Sequence, residues 1–169
     1  MTKHAWAKVL ILAAILVIGV VTYCVALNSV LAATDEITTT AWIMCSPDGY
    51  VNCRLTPSTR GDVIGYLETG YRLEIDGRTK NGYAHCVDMS LEYSTGWVHC
   101  GFIVFEEPKW WDKDMTITAS GRVACRKWAD GERTNWVIDG STVHVWWVAD
   151  GWAVTSKGWI QTRYLAEVI

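Results

Sequence analysis

The sequence predicts an all-β protein: two small β-barrels in tandem, preceded by one N-terminal apolar helix. Three observations predict it. Beyond Thr34 apolar residues recur with period two, as at Leu73/Ile75, Val143/Val145 and Trp152/Val154, the spacing that lines one face of a strand. Turn signals arrive at short intervals: Pro47-Asp48-Gly49, Asp76-Gly77, Asn81-Gly82, Asp130-Gly131, Asp139-Gly140 and Asp150-Gly151, and such dipeptides punctuate strands. The only long uncharged apolar run is Val9 to Leu27, VLILAAILVIGVVTYCVAL.

That run is 19 residues long, close to the roughly 20 that a helix needs to span a bilayer. Lys3 and Lys8 precede it, and Asp35 and Glu36 follow, a charge order that keeps the N-terminus cytoplasmic and exports the remainder. Residues 1–33 therefore read as a signal peptide or a membrane anchor acting through residues 9–27. The small-residue sites near Ala32 and Ala33 are imperfect for cleavage and the run exceeds a usual signal core, so both readings stay open.

The exported remainder carries all 18 acidic residues and 13 of the 15 basic ones, a net charge of 13 − 18 = −5. No Lys/Arg cluster is visible along it, which argues against nucleic acid as a partner, because phosphate binding needs a local basic stripe.

The exported chain is also written twice. Val51-Asn52-Cys53-Arg54 matches Val123-Ala124-Cys125-Arg126, and Gly70-Tyr71-Arg72-Leu73-Glu74-Ile75 matches Gly140-Ser141-Thr142-Val143-His144-Val145. Gly82-Tyr83-Ala84 matches Gly151-Trp152-Ala153, Gly96-Trp97-Val98 matches Gly158-Trp159-Ile160, and Phe102-Ile103 matches Tyr164-Leu165. Landmarks in one fixed order make an internal repeat. The first copy carries the longer hairpin, through the insertion VDMSLEYS. The expected boundaries are 40–104 for the first barrel, 105–113 for a linker and 114–169 for the second barrel.

These landmarks resemble those of bacterial SH3 (SH3b) domains. The V-N-x-R start, Pro57-Ser58, Ile64-Gly65, Leu67, Gly70 and the closing Gly-Trp-Val or GWIQTRYL segments carry the resemblance; the second copy lacks the Pro-Ser. The resemblance implies two SH3-like β-barrels and a non-catalytic binding module of the bacterial cell envelope. Its partner would be peptidoglycan or another envelope component, at the cell membrane with extracytoplasmic domains or secreted to the cell wall. The alternative is a protein–protein adaptor in an envelope or secretion-type assembly.

Each Cys in the repeated Cys-Arg pair stands where the family places an aliphatic residue, so Cys53 and Cys125 read as small buried hydrophobes. Five cysteines follow the apolar run, an odd number that cannot all pair internally. Cys86 and Cys100 flank the long hairpin and form the candidate disulfide. Metal chelation by His85-Cys86 or His99-Cys100 is disfavoured, since adjacent strand residues point to opposite faces. His85, His99 and His144 read as lone, half-exposed strand residues.

No enzyme is expected. The two barrels use nearly all the exported residues, and no phosphate loop, H-E-x-x-H or serine elbow is present. No cofactor is implied. Binding rests instead on aromatics: ten of the eleven Trp are exported, and exposed rings suit sugars and apolar peptide groups. Trp146-Trp147 adjoin, so one should face outward. The candidate ligand-binding residues are Trp110, Trp111, Trp147, Tyr83 and Trp152, with stacking rather than charge carrying the affinity, so that binding should survive raised salt.

Overall fold

A computed structural model describes residues 38–87 and 95–168. The expected signal or anchor over 1–33 lies outside the described residues, as does most of the hairpin insertion. Secondary structure among the described residues is strand apart from two single-turn 3-10 helices, Cys100–Phe102 and Thr162–Tyr164. No helix among them is long and apolar enough to cross a membrane.

The first sheet contains β1 (Thr39–Ile43), β2 (Val51–Arg54), β3 (Val63–Leu67), β4 (Arg72–Lys80), β5 (Tyr83–Val87), β6 (Gly96–His99) and β7 (Ile103–Val104). The second contains β8 (Lys109–Ile117), β9 (Arg122–Arg126), β10 (Arg133–Ile138), β11 (Thr142–Ala149), β12 (Trp152–Thr155), β13 (Gly158–Gln161) and β14 (Leu165–Glu167). Their spatial orders are β3-β2-β6-β5-β4-β1-β7 and β10-β9-β13-β12-β11-β8-β14. Adding seven to every label of the first order produces the second, so the repeat in the sequence is a repeat of topology.

Matching positions fill the two cores. Ile43, Val51, Cys53, Leu73 and Val98 are buried in the first, and Ile117, Val123, Cys125, Val143 and Ile160 in the second. Cys53 and Cys125 are fully buried, as small hydrophobes. Burial pushes the Cys53 thiol up to about 11 and the Cys86 thiol up to about 12, which holds both as unreactive neutral thiols.

Turn chemistry explains the hairpins. Asn81-Gly82 and Asp150-Gly151 are two-residue loops with positive φ at both positions (53° and 79°; 48° and 75°). That is the backbone of the type I′ turn, whose twist matches the flanking strands. Asp76-Gly77 is not the turn the sequence suggested. It lies inside β4, where Gly77 has φ 79° and the register shifts between Ile75 and Thr79; the glycine serves a bulge.

Three further expectations are corrected. The acidic segment 105–113 is not all linker, because β8 starts at Lys109 and pairs with β11 through Lys109↔Val148, Trp110↔Trp147 and Lys113↔Val145. From Trp110 to Asp114 exposed and half-buried residues alternate, as in a strand with one solvated face. The Cys86–Cys100 disulfide is absent: both thiols are free. The β5–β6 ladder pairs Cys86 with Gly96 and Tyr83 with His99, so Cys100 lies past the far end of the ladder from Cys86. Trp146 and Trp147 do not divide into one inward and one outward ring. The register of β11 shifts between Val145 and Trp147, and both rings pack as part-buried side chains on a third apolar cluster.

That third cluster joins the two sheets, which form one compact unit, Thr38–Ile169. Met44 and Val104 come from the first sheet, and Ala149, Trp152, Val154 and Trp159 from the second, with Phe102 and Trp128 packed against them. It explains why β12 is buried along its whole length. Ala153 faces the second core while Trp152 and Val154 face the shared cluster.

Candidate functional site

The repeated Cys-Arg pair builds the site. Period two sends the Cys inward and the Arg to the opposite face. Arg54 Nη1 donates to the Gly61 carbonyl at 2.7 Å, and Arg126 Nη1 to the Gly131 carbonyl at 2.6 Å. Each Arg thereby ties down the loop after its own strand and itself lines a groove present once per repeat. Around the first groove stand Tyr50, Asn52, Arg54, Tyr83, His99 and Phe102. Their counterparts Arg122, Ala124, Arg126, Trp152, Gln161 and Tyr164 line the second.

The first groove is narrowed from within. Trp128, in the β9–β10 loop of the second repeat, has its ring 4.6 Å from His99 and 6.0 Å from Phe102, with Lys127 Nζ 5.4 Å from the indole centroid. Gly101 makes the fit possible: a Cβ there would sit 2.1 Å from Trp128 Cδ1. Burial, and secondarily the Lys127 ammonium, hold His99 below the usual histidine range. The cavity left beside the indole is about 270 Å³.

The second groove is open, with a cavity of about 550 Å³. Its side chains differ where the first groove receives the indole. Arg163 occupies the position of Gly101, Arg122 that of Tyr50, and Trp136 that of Tyr66. Tyr50 and Tyr66 meet edge to face at 4.7 Å. In the second groove the guanidinium carbon of Arg122 lies 4.3 Å from the Trp136 centroid and that of Arg163 4.9 Å from the Tyr164 ring, while Arg133, outside the groove lining, lies 4.6 Å from the Trp136 ring. Rings under guanidinium groups hold the cations in place without neutralising them. Among the described residues none of Arg122, Arg126, Arg133 and Arg163 forms an ion pair.

Among the solved structures similar to this chain are NlpC1 and NlpC2. NlpC1 from Trichomonas vaginalis matches at 15% identity and a TM-score of 0.36, over 80% of this chain and 48% of that one. NlpC2 from the same organism matches at 16% identity and a TM-score of 0.33, over 80% of this chain and 50% of that one. The chain thus spans about half the length of either protein. No family model matches the sequence, and no curated protein does.

The residues singled out from sequence do not converge. Trp152 lines the second groove and Tyr83 the first, each mostly buried. Trp110 and Trp147 form an edge-to-face pair at 4.6 Å, with Trp110 half exposed. Trp111 packs against the second core with Lys113 Nζ 4.6 Å from its ring centroid. Sequence reasoning passed over Arg122, Trp136, Arg163 and Trp128. The signal available was the overlay itself: these are solvent-side positions at which the copies differ in charge or size.

Nor are the histidines lone, for His99 Nδ1 accepts from the Gly101 N–H at 3.2 Å. His144 sits between Asp114 (Nδ1, 2.8 Å) and Asp112 (Nε2, 3.0 Å), whose hydrogen bonds, Asp114 first, raise its pKa. His85 is buried, with Nδ1 2.8 Å from Asp76 Oδ2, and Arg78 Nε donates to that same oxygen at 2.6 Å. Chiefly the Arg78 hydrogen bond, against an opposing desolvation, holds the Asp76 carboxyl well below the usual carboxylate range. A depressed carboxylate stabilises the fold above its unfolded pKa of about 4, and this is lost as pH falls toward the native value. Asp76→Asn should therefore flatten the acid limb of stability. Urea midpoints measured from about pH 5 down to about pH 2.5 will show a smaller drop in the variant; parallel limbs would remove Asp76 from the account.

Proposed function

We propose that this protein is an exported, non-catalytic binding module of the bacterial cell envelope. In this reading its two SH3b-like repeats recognise peptidoglycan or another wall component, and the second repeat supplies the ligand groove. The observation that carries the reading is the pair of equivalent grooves, one narrowed by Trp128 to about 270 Å³ and one of about 550 Å³. A groove that receives an aromatic side chain in one copy is a recognition surface, and its roomier twin is where a ligand fits. The SH3b resemblance of the sequence supports the envelope assignment.

One observation favours the second reading, an adaptor in an envelope assembly: the first groove takes a protein side chain, Trp128. The experiment that separates the two is sedimentation of the purified full-length chain with isolated sacculi. Co-sedimentation that is lost in Trp136→Ala, with an unchanged melting curve, is the expected result. A chain that stays in the supernatant rules out the wall reading and leaves the adaptor.

A further inference from the structure

We propose that the open groove of the second repeat takes an oxyanion, a carboxylate or phosphate, carried on a ligand with a flat or apolar body. This rests on the reading that the second groove is the binding site, and it deepens that reading by naming the chemistry of the ligand.

The comparison between the repeats carries the inference. Where the first groove meets an indole, its lining is rich in aromatic side chains, with Arg54 and Lys127 as its cations, and Gly101 leaves room for the ring. The second groove replaces that space with the Arg163 side chain and turns Tyr50 into Arg122. An indole therefore cannot seat in the same way. What the groove presents instead is a set of guanidinium groups around one cavity, each held against a ring or a loop carbonyl. Like charges gathered without acidic partners repel one another. An oxyanion between them removes that repulsion and accepts charge-assisted, bidentate hydrogen bonds. The rest of the exported chain is acidic, so this local cation cluster stands against the net charge. Trp136, Trp152 and Tyr164 supply the apolar wall for the ligand body.

The consequence reverses the salt-insensitive binding anticipated from sequence. Guanidinium–oxyanion contacts in an open groove weaken as the screening length falls below about 8 Å.

The test uses the full-length chain and three probes: a tripeptide with a free C-terminal carboxylate, the same tripeptide amidated, and inorganic phosphate. Binding is read from the indole N–H resonance of Trp136, assigned with Trp136→Phe. The expected result is saturable binding of the free acid, weakened about tenfold or more by amidation, by Arg122→Gln with Arg163→Gln, or by raised salt. Arg60→Gln, on the exposed loop of the first repeat, should leave it unchanged. Saturation by phosphate but not by the peptide acid keeps the oxyanion site and assigns it to a phosphate polymer. Equal affinity for acid and amide, or no saturable binding of either anion, overturns the proposal. Failure here is distinguishable from failure of the wall reading: sacculi that still sediment the double Arg variant sink only the oxyanion, whereas peptide-acid binding without sacculus binding sinks only the wall.

Discussion

Trp159→Ala is expected to lower the unfolding free energy by roughly 3–5 kcal/mol, the range for deleting a large buried side chain. Trp159 is 4% exposed. Its neighbours explain why the effect extends beyond its own strand. On β13 it pairs across to Val154 and Arg126, and its ring lies 6.4 Å from Phe102, a residue of the first repeat. It belongs to the cluster shared by both sheets, while the next residue, Ile160, belongs to the core of the second sheet alone. Alanine at Trp159 should thus weaken the coupling between the sheets as well as the total stability. In urea, the transitions followed by tryptophan fluorescence and by far-UV circular dichroism should no longer coincide. Ile160→Ala should cost about 2–5 kcal/mol but keep the two probes coincident. A loss under about 1 kcal/mol at Trp159, or coincident transitions in both variants, would contradict the shared-cluster role.

What the sequence made legible was local. Asn81-Gly82 and Asp150-Gly151 could be read as hairpin turns because consecutive left-handed residues restrict the choice of amino acid. The repeat was legible because the same inward positions recur around Cys53 and Cys125. What stayed hidden depended on long-range register. Lys109 to Lys113 read as linker because charge dominates the segment, and only pairing with β11 turns it into a strand. Cys86 and Cys100 looked like partners because the offset of one strand against the other is set by ladder pairing, not by flanking a hairpin. The sheet–sheet cluster was invisible for a different reason. In β12, Trp152, Ala153 and Val154 are apolar on both faces, so periodicity shows burial without saying against what. The groove needed residues far apart in the chain, Arg122, Trp136 and Arg163, none of which belongs to a motif.

Gly101→Val should expel Trp128 from the first groove. The indole is held between two glycine backbones: an added Cβ would meet Trp128 atoms at 2.1 Å from Gly101 and at 2.4 Å from Gly131. Neither approach leaves room for a side chain. The neighbour that must give way is a ring on a two-torsion side chain, so the accommodation is rotation of Trp128 into solvent rather than movement of the backbone. The cost is the burial and ring contacts of a part-buried tryptophan, about 2 kcal/mol. Trp128→Ala removes the same contacts and should cost a similar amount. The two substitutions therefore form a cycle with a definite answer. If the glycine exists to admit the indole, valine at 101 should cost little once Trp128 is alanine, less than about 0.5 kcal/mol. Denaturant unfolding of the parent, the two single variants and the double variant measures this directly. Either single variant should also uncover His99, whose burial is the larger cause of its lowered pKa, so that pKa, read by NMR titration, should rise toward the ordinary histidine value. Additive losses in the cycle, or an unmoved His99, would mean that Trp128 lies against the groove without being seated in it.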